Sequence, residues 1–134
     1  MRRRFILRFA LVTAACAVGC SPTTSPLDLV GTYTLRSVAG QPLPYLVEQA
    51  GQTRVEVVDD LLILASGSTY SEVGHKRITS GGITTVGAVV DAGSFSRRNN
   101  DITMGSLLIG SWRGTVEGNT LTLVQQGLTL VYQK

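Results

Sequence analysis

From Leu29 to Lys134 the chain is interrupted at short intervals by turn-forming residues, and this punctuation restricts the fold more than any other feature. The breaks fall at Ser66-Gly67-Ser68, Ser80-Gly81-Gly82, Arg97 to Asn100, Gly105-Ser106, Gly118-Asn119 and Gln126-Gly127. Glycine and asparagine accept the positive φ angles that tight hairpins need. Between the breaks lie segments rich in Val, Ile, Thr and Tyr, the residues that suit a pleated, half-buried surface. They predict strands over 54–65, 69–79, 83–96, 101–104, 107–116, 120–125 and 128–133. A further strand is expected within Leu29–Val38, where Tyr33 and Leu35 share one face. It ends at Ala39–Pro44, because proline cannot join a central ladder. Tyr45–Gly51 has helical spacing at Leu46, Val47 and Ala50, and is expected to form one helical turn or a short lid. The count is eight strands, or nine if Asp59-Asp60 splits the second; the pair could instead form a bulge. No segment carries sustained helical periodicity. Many short strands with evenly spaced turns point to an antiparallel barrel or sandwich; the fold class is read as all-β, an antiparallel up-and-down barrel of eight strands, because sequential hairpins favour that order and closure removes exposed edges.

The first 28 residues are of another kind. Arg2-Arg3-Arg4 form a positive stretch, and Phe9 to Gly19 is apolar apart from Thr13. A bilayer-spanning helix takes about 20 apolar residues, so this segment is too short for a permanent crossing and fits the apolar part of a secretion signal. It ends at Ala17-Val18-Gly19-Cys20, followed by Ser21-Pro22-Thr23-Thr24-Ser25-Pro26. That pattern resembles the signal peptide and lipobox of a bacterial lipoprotein. The resemblance implies that residues 1–19 are removed, that Cys20 carries the lipid, and that 20–28 is a flexible tether below a folded domain at 29–134. Cys16, after Thr13-Ala14-Ala15, is the alternative processed cysteine; Cys20 is preferred because the polar stretch begins directly after it. Serine at position 21 resembles the outer-membrane sorting signal, which implies a periplasm-facing protein anchored to the outer membrane through acyl chains on Cys20.

Charge supports the same division. The formal charge of +3 includes four arginines before Cys20, and without them eight basic residues face nine acidic ones. A near-neutral domain lacks the electrostatic term that drives nucleic-acid binding, so no nucleic-acid partner is expected. With Cys16 removed and Cys20 lipidated, no cysteine remains for a disulfide.

The run Gly31 to Pro44 (GTYTLRSVAGQPLP) is similar to the opening of small lipocalin-like bacterial lipoproteins. So is the close, Gly114 to Leu123 followed by Leu130-Val131-Tyr132-Gln133-Lys134. Lipocalins open on glycine, any residue, tryptophan; here Gly31 and Tyr33 hold those places. The resemblance implies that a basic residue near the last strand packs over the Tyr33 ring and closes the barrel floor. Lys134 is the positional candidate and Arg113 a second. It also implies a cavity for a small apolar ligand. By alternation, its lining candidates are Tyr33, Leu35, Leu62, Leu64, Tyr70, Val89, Trp112, Leu121, Leu123, Leu130 and Tyr132. A filled core would use the same residues.

Reactive chemistry is sparse. His75 is the only histidine, and His75-Lys76-Arg77 reads as a solvated strand face. Asp59-Asp60 offers too few oxygens for calcium, and Glu48 and Glu56 have no assignable partner. Arg97-Arg98-Asn99-Asn100-Asp101 reads as a hairpin tip. Gly81-Gly82 lacks the lysine and helix of a phosphate-binding loop. In Gly110-Ser111-Trp112-Arg113-Gly114 the serine is one place early for a hydrolase nucleophile elbow. Trp112 is expected in the core, its N–H in need of an acceptor. No enzyme, cofactor or metal is expected. The leading expectation is binding of a small hydrophobic ligand inside the barrel. The alternative is an envelope interaction factor or inhibitor acting through residues 39–53 and 97–101.

Overall fold

Residues 28–134 are described by the structure, a computed structural model. The lipobox and signal residues therefore lie outside the described residues. Ten strands run in chain order: β1 (Gly31–Val38), β2 (Gln41–Pro42), β3 (Tyr45–Ala50), β4 (Thr53–Ala65), β5 (Thr69–Ser80), β6 (Ile83–Arg98), β7 (Asp101–Ser106), β8 (Gly110–Glu117), β9 (Thr120–Gln125) and β10 (Leu128–Gln133). Each of β4 to β9 pairs antiparallel with the next. β1 then pairs with both β10 and β4, so eight strands form a closed up-and-down barrel. The two additional strands are short flanking pieces. β2 folds back on the end of β1. β3 lies on the outer half of β4, where β1 no longer reaches.

Three local differences from the sequence reading have physical causes. Tyr45–Ala50 is the strand β3 and not a helical turn or lid, because the Thr53–Val57 part of β4 offers it a free edge to pair with. The turn between β7 and β8 falls at Leu107–Ile109 and not at Gly105-Ser106. Ser106 Oγ accepts from the Leu108 and Ile109 amides at 2.9 and 3.1 Å, so the serine stabilises the turn that follows it. Arg97 and Arg98 belong to β6, leaving Asn99-Asn100 as the hairpin tip.

Asp59-Asp60 does not split β4. A register shift between Val57 and Asp59 makes it a bulge, and this decides which of the two aspartates faces inward. Beyond the shift, Asp60 opposes Gly74 and points into the barrel, while Asp59 opposes His75 on the outside. His75 Nδ1 and Asp59 Oδ1 are 2.6 Å apart there. Also on the outer face, Glu56 is covered by Arg54 and Arg77, at 2.7 and 2.8 Å. These contacts hold its carboxyl below the ordinary carboxylate value, the Arg77 hydrogen bond contributing most and the Arg54 bond next.

The barrel has two unlike ends. One is filled by Tyr33, Leu62, Leu64, Tyr70, Phe95, Ile102, Met104, Trp112, Val116, Leu121, Leu123 and Tyr132, all buried. Tyr70 and Trp112 meet edge to face, their centroids 6.1 Å apart, an arrangement worth about 0.5–1.5 kcal/mol beyond the area it buries. Lys134 Nζ lies 5.8 Å from the centre of the Tyr33 ring and donates to the Asp28 carbonyl at 3.2 Å. Tyr33 Oη donates to the Leu29 carbonyl at 3.0 Å. Arg113, the second candidate for this position, is exposed on β8. At the other end the barrel wall opens. β6 pairs with β5 along its whole length, but with β7 only from Gly93 onward. Strands β3 to β6 therefore project past the barrel as a ribbon, and residues 83–92 of β6 form its free edge.

Candidate functional site

The open end holds a cavity of about 220 Å³. Its walls come from residues that alternate inward on the upper strands: Leu35 and Val38 on β1, Tyr45 on β3, Val57 on β4, Val89 on β6, Leu128 and Leu130 on β10. Val47, Leu108 and Ile109 stand at the rim. The volume is below the roughly 300–1,000 Å³ of sites that enclose drug-sized molecules. It suits a small molecule, or one end of a longer molecule whose remainder leaves through the mouth.

Of the lining candidates named from alternation, Leu35, Val89 and Leu130 border this cavity. Tyr33, Leu62, Leu64, Tyr70, Trp112, Leu121, Leu123 and Tyr132 are instead in the packed end. Alternation gives the inward face of a strand but not the height at which the interior changes from filled to hollow. Val89, although inward, is 47% exposed because β7 stops short of it.

The boundary between the two halves is acidic. Asp60, Glu72 and Asp91 project inward from three adjacent strands, β4, β5 and β6, and all border the cavity. Glu72 lies directly opposite Asp91, and Asp60 is diagonal to Glu72 across the β4–β5 ladder. Gly74 makes room for this: a Cβ built there would lie 3.2 Å from the Asp60 Cγ. Asp91 is fully engaged. Tyr70 Oη donates to its Oδ2 and Ser106 Oγ to its Oδ1, both at 2.7 Å. Asp60 Oδ2 accepts from Tyr132 Oη at 3.0 Å. Two acceptors remain without a protein donor among the described residues: Asp60 Oδ1 and Glu72 Oε2, both shielded from solvent. Buried acceptors left unsatisfied are costly, about 1–3 kcal/mol each and more when charged.

The local electrostatics follow from this crowding. Burial first, then the hydrogen bond and the charge of Asp60 and the charge of Asp91, push the Glu72 carboxyl up to about 9. Glu72 is thus a carboxylic acid at neutral pH. Burial and the bond to Asp91 push the Tyr70 hydroxyl up to about 12. Burial, with Asp60 and Glu72 beside it, raises Tyr132 further still. Both tyrosines are therefore donors at any physiological pH. Trp112 Nε1 is buried without a partner.

The sequence reading missed this cluster, treating Asp59-Asp60 as a bare pair and passing over Glu72 and Asp91. The available signal was period two. Counting inward from Tyr70 reaches Glu72, and counting back from Phe95 reaches Asp91. Asp60 could not be assigned without the bulge.

Outside the cavity, a depression of about 480 Å³ is lined by residues of β6 to β8 that include Arg97, Arg98, Asp101 and Arg113. Arg97 there is already bound to Asp28 at 2.8 Å and to the Asn99 carbonyl. Among the described residues no group of three His, Cys, Asp or Glu is placed to hold a metal ion. No family model matches the chain, and no curated protein matches it.

Proposed function

We propose that this protein is a lipid-anchored envelope protein that binds a small, largely apolar ligand in the open end of its barrel and carries out no chemistry on it. The observation that supports this most is the apolar-walled cavity at one end of an otherwise filled barrel. A barrel built only for rigidity gains nothing from a hollow end, since unfilled volume forfeits packing contacts. The likeness of the first strand and the C-terminal segments to lipocalin-like bacterial lipoproteins supports the same reading. So do the signal-like residues 1–19 and the Cys20 that follows them, with an outer-membrane, periplasm-facing location as their consequence. His75 stands on the outer face of β5 against Asp59, at the edge of the cavity.

Native mass spectrometry of the protein purified from its own envelope, followed by organic extraction, tests the reading. A small molecule in stoichiometric amount, released on unfolding, is the expected result. A clean apo mass, with no uptake from a mixture of fatty acids, phospholipids and alkylamines, would overturn it.

A second reading has one observation in its favour. Residues 83–92 of β6 present an unpaired edge carrying Ile83, Val86 and Val90, each more than half exposed, next to Leu107 and Leu108. Such an edge is a template for strand addition. On that reading an extended segment of a partner protein pairs with β6, a different surface from the loops 39–53 and 97–101 that the sequence suggested.

A further inference from the structure

The acidic floor is at odds with a wholly apolar ligand. A hydrocarbon end pressed against Asp60 and Glu72 would leave both orphan oxygens unsatisfied and strip them of water. A fatty acid entering head first would bring a third negative charge to Asp60 and Asp91. Asp60 Oδ1 needs a donor, and so does Glu72 once it gives up its proton. Asp60, which borders the cavity, is more than nine-tenths buried, and its Oδ1 is unpartnered.

We infer that the cavity takes a small organic cation, an amine with an apolar body, which enters head first and donates its ammonium N–H groups to Asp60 Oδ1 and Glu72 Oε2. This rests on the ligand-binding reading above and specifies its ligand class. An ammonium has three donors and no acceptor, which matches two unpartnered acceptors on residues that border one cavity. The apolar walls at Leu35, Val57 and Leu128 then cover the carbon skeleton, and the apolar rim accepts whatever extends past the mouth. A bare metal ion would need more oxygens in reach and no such walls.

The empty site has its own neutralising device. With no ligand bound, burial and the neighbouring Asp60 keep a proton on Glu72 at neutral pH. A bound ammonium replaces that proton, so uptake of the amine near neutral pH releases one. The other charged groups bordering the cavity are Asp59, Asp91, Lys76 and His75. Asp91 is held by Tyr70 and Ser106, and Asp59 is engaged with His75. Lys76 is the chain's own cation on the wall. It is exposed and makes no ion pair among the described residues. It therefore acts as a competitor, and removing its charge favours the incoming amine.

Calorimetric titration of the full chain, with Cys16 and Cys20 replaced by serine so that no acyl chain competes, tests this with three probes of one length: n-octylamine, 1-octanol and octanoate. The amine is expected to bind at least tenfold tighter than the alcohol, with no detectable octanoate binding. Repeating the titration in buffers of different ionisation enthalpy is expected to show proton release near pH 7. Glu72→Gln is expected to abolish the proton release and narrow the preference for the amine over the alcohol. Lys76→Met is expected to tighten amine binding. Equal binding of amine and alcohol, or preferred binding of octanoate, would overturn the amine assignment and leave the apolar-ligand reading standing. Binding of none of the three would remove both.

Discussion

Glu72 occupies a position where most barrels would place an apolar side chain, and its environment makes the stability of the protein depend on pH. In the unfolded chain its carboxyl titrates near the ordinary 4.5; in the folded protein burial and Asp60 move it to about 9. Below about pH 4.5 both states hold the proton, and the contribution of Glu72 is fully present. As pH rises from there the unfolded chain gives up a proton that the folded chain keeps. Stability therefore falls, and the contribution is lost by about pH 9. Glu56 works in the opposite sense. The two arginines depress its folded value, so its contribution is present above about 4.5 and is lost as pH falls through that depressed value. The melting temperature is expected to decline between pH 5 and pH 9. Glu72→Gln should flatten much of that slope, and scanning calorimetry across the range checks it. A slope unchanged by the substitution would mean that the proton is not held there. Little of this was legible in the sequence. Tyr70 and Phe95 set the inward phase of β5 and β6, which suffices to place Glu72 and Asp91. The phase of β4, however, turns on a single extra residue at the bulge, and shifting a strand by one residue reverses every side chain on it.

Among the elements, β6 belongs to two structures at once. From Gly93 to Arg98 it is a barrel stave between β5 and β7; from Ile83 to Ala92 it has β5 alone. The sequence shows β6 as one continuous strand, because Thr, Val and Ala have the same propensity in a paired and an unpaired half. What separates the halves is the length of the neighbour, and β7 is only six residues long. The turn at Leu107–Ile109 shortens β7 and leaves three apolar residues at the open rim. Val86, on the outer face and 62% exposed, is a position at which the edge can be tested without touching the core. Val86→Lys is expected to change stability by less than about 0.5 kcal/mol, as for other exposed sites. It should also suppress any self-association or partner pairing at this edge, since lysine on an edge strand opposes strand addition. Chemical denaturation reads the first effect, and light scattering coupled to gel filtration, or a partner-capture assay, reads the second.

The whole molecule is a barrel of unequal halves, rigid and filled below, open and ribbon-like above. This predicts a graded response to local opening. Amides of β9 and β10, which have partners on both sides and the buried residues Leu121, Leu123 and Tyr132, should exchange only on global unfolding. Amides of residues 83–90, all exposed on a strand paired along one side, should exchange orders of magnitude faster. Hydrogen-exchange mass spectrometry distinguishes the two directly. Uniform protection would mean that the ribbon is covered in solution. At this scale the sequence was most informative. Recurrent hairpin turns and period-two patterning narrow the chain to an antiparallel barrel or sandwich, and the sequential hairpins favour the up-and-down barrel. The filled and hollow halves are not encoded in any one strand, because both use the same alternating residues and differ only in how far each strand extends beyond its neighbour.

The ring is closed by β1, which holds β10 on one side and β4 on the other. Thr34 meets Gln133, so the seam joins positions at opposite ends of the folded region. During synthesis the first strand emerges long before its second neighbour exists. Until Leu128–Gln133 has been made, the growing chain can form hairpins but not a ring, and its apolar side remains uncovered. For the envelope location proposed above, a chain threaded unfolded through a translocation pore would gain from such a delay. The last six strand residues to be made act as a latch, and the chain cannot lock into its final shape until they arrive.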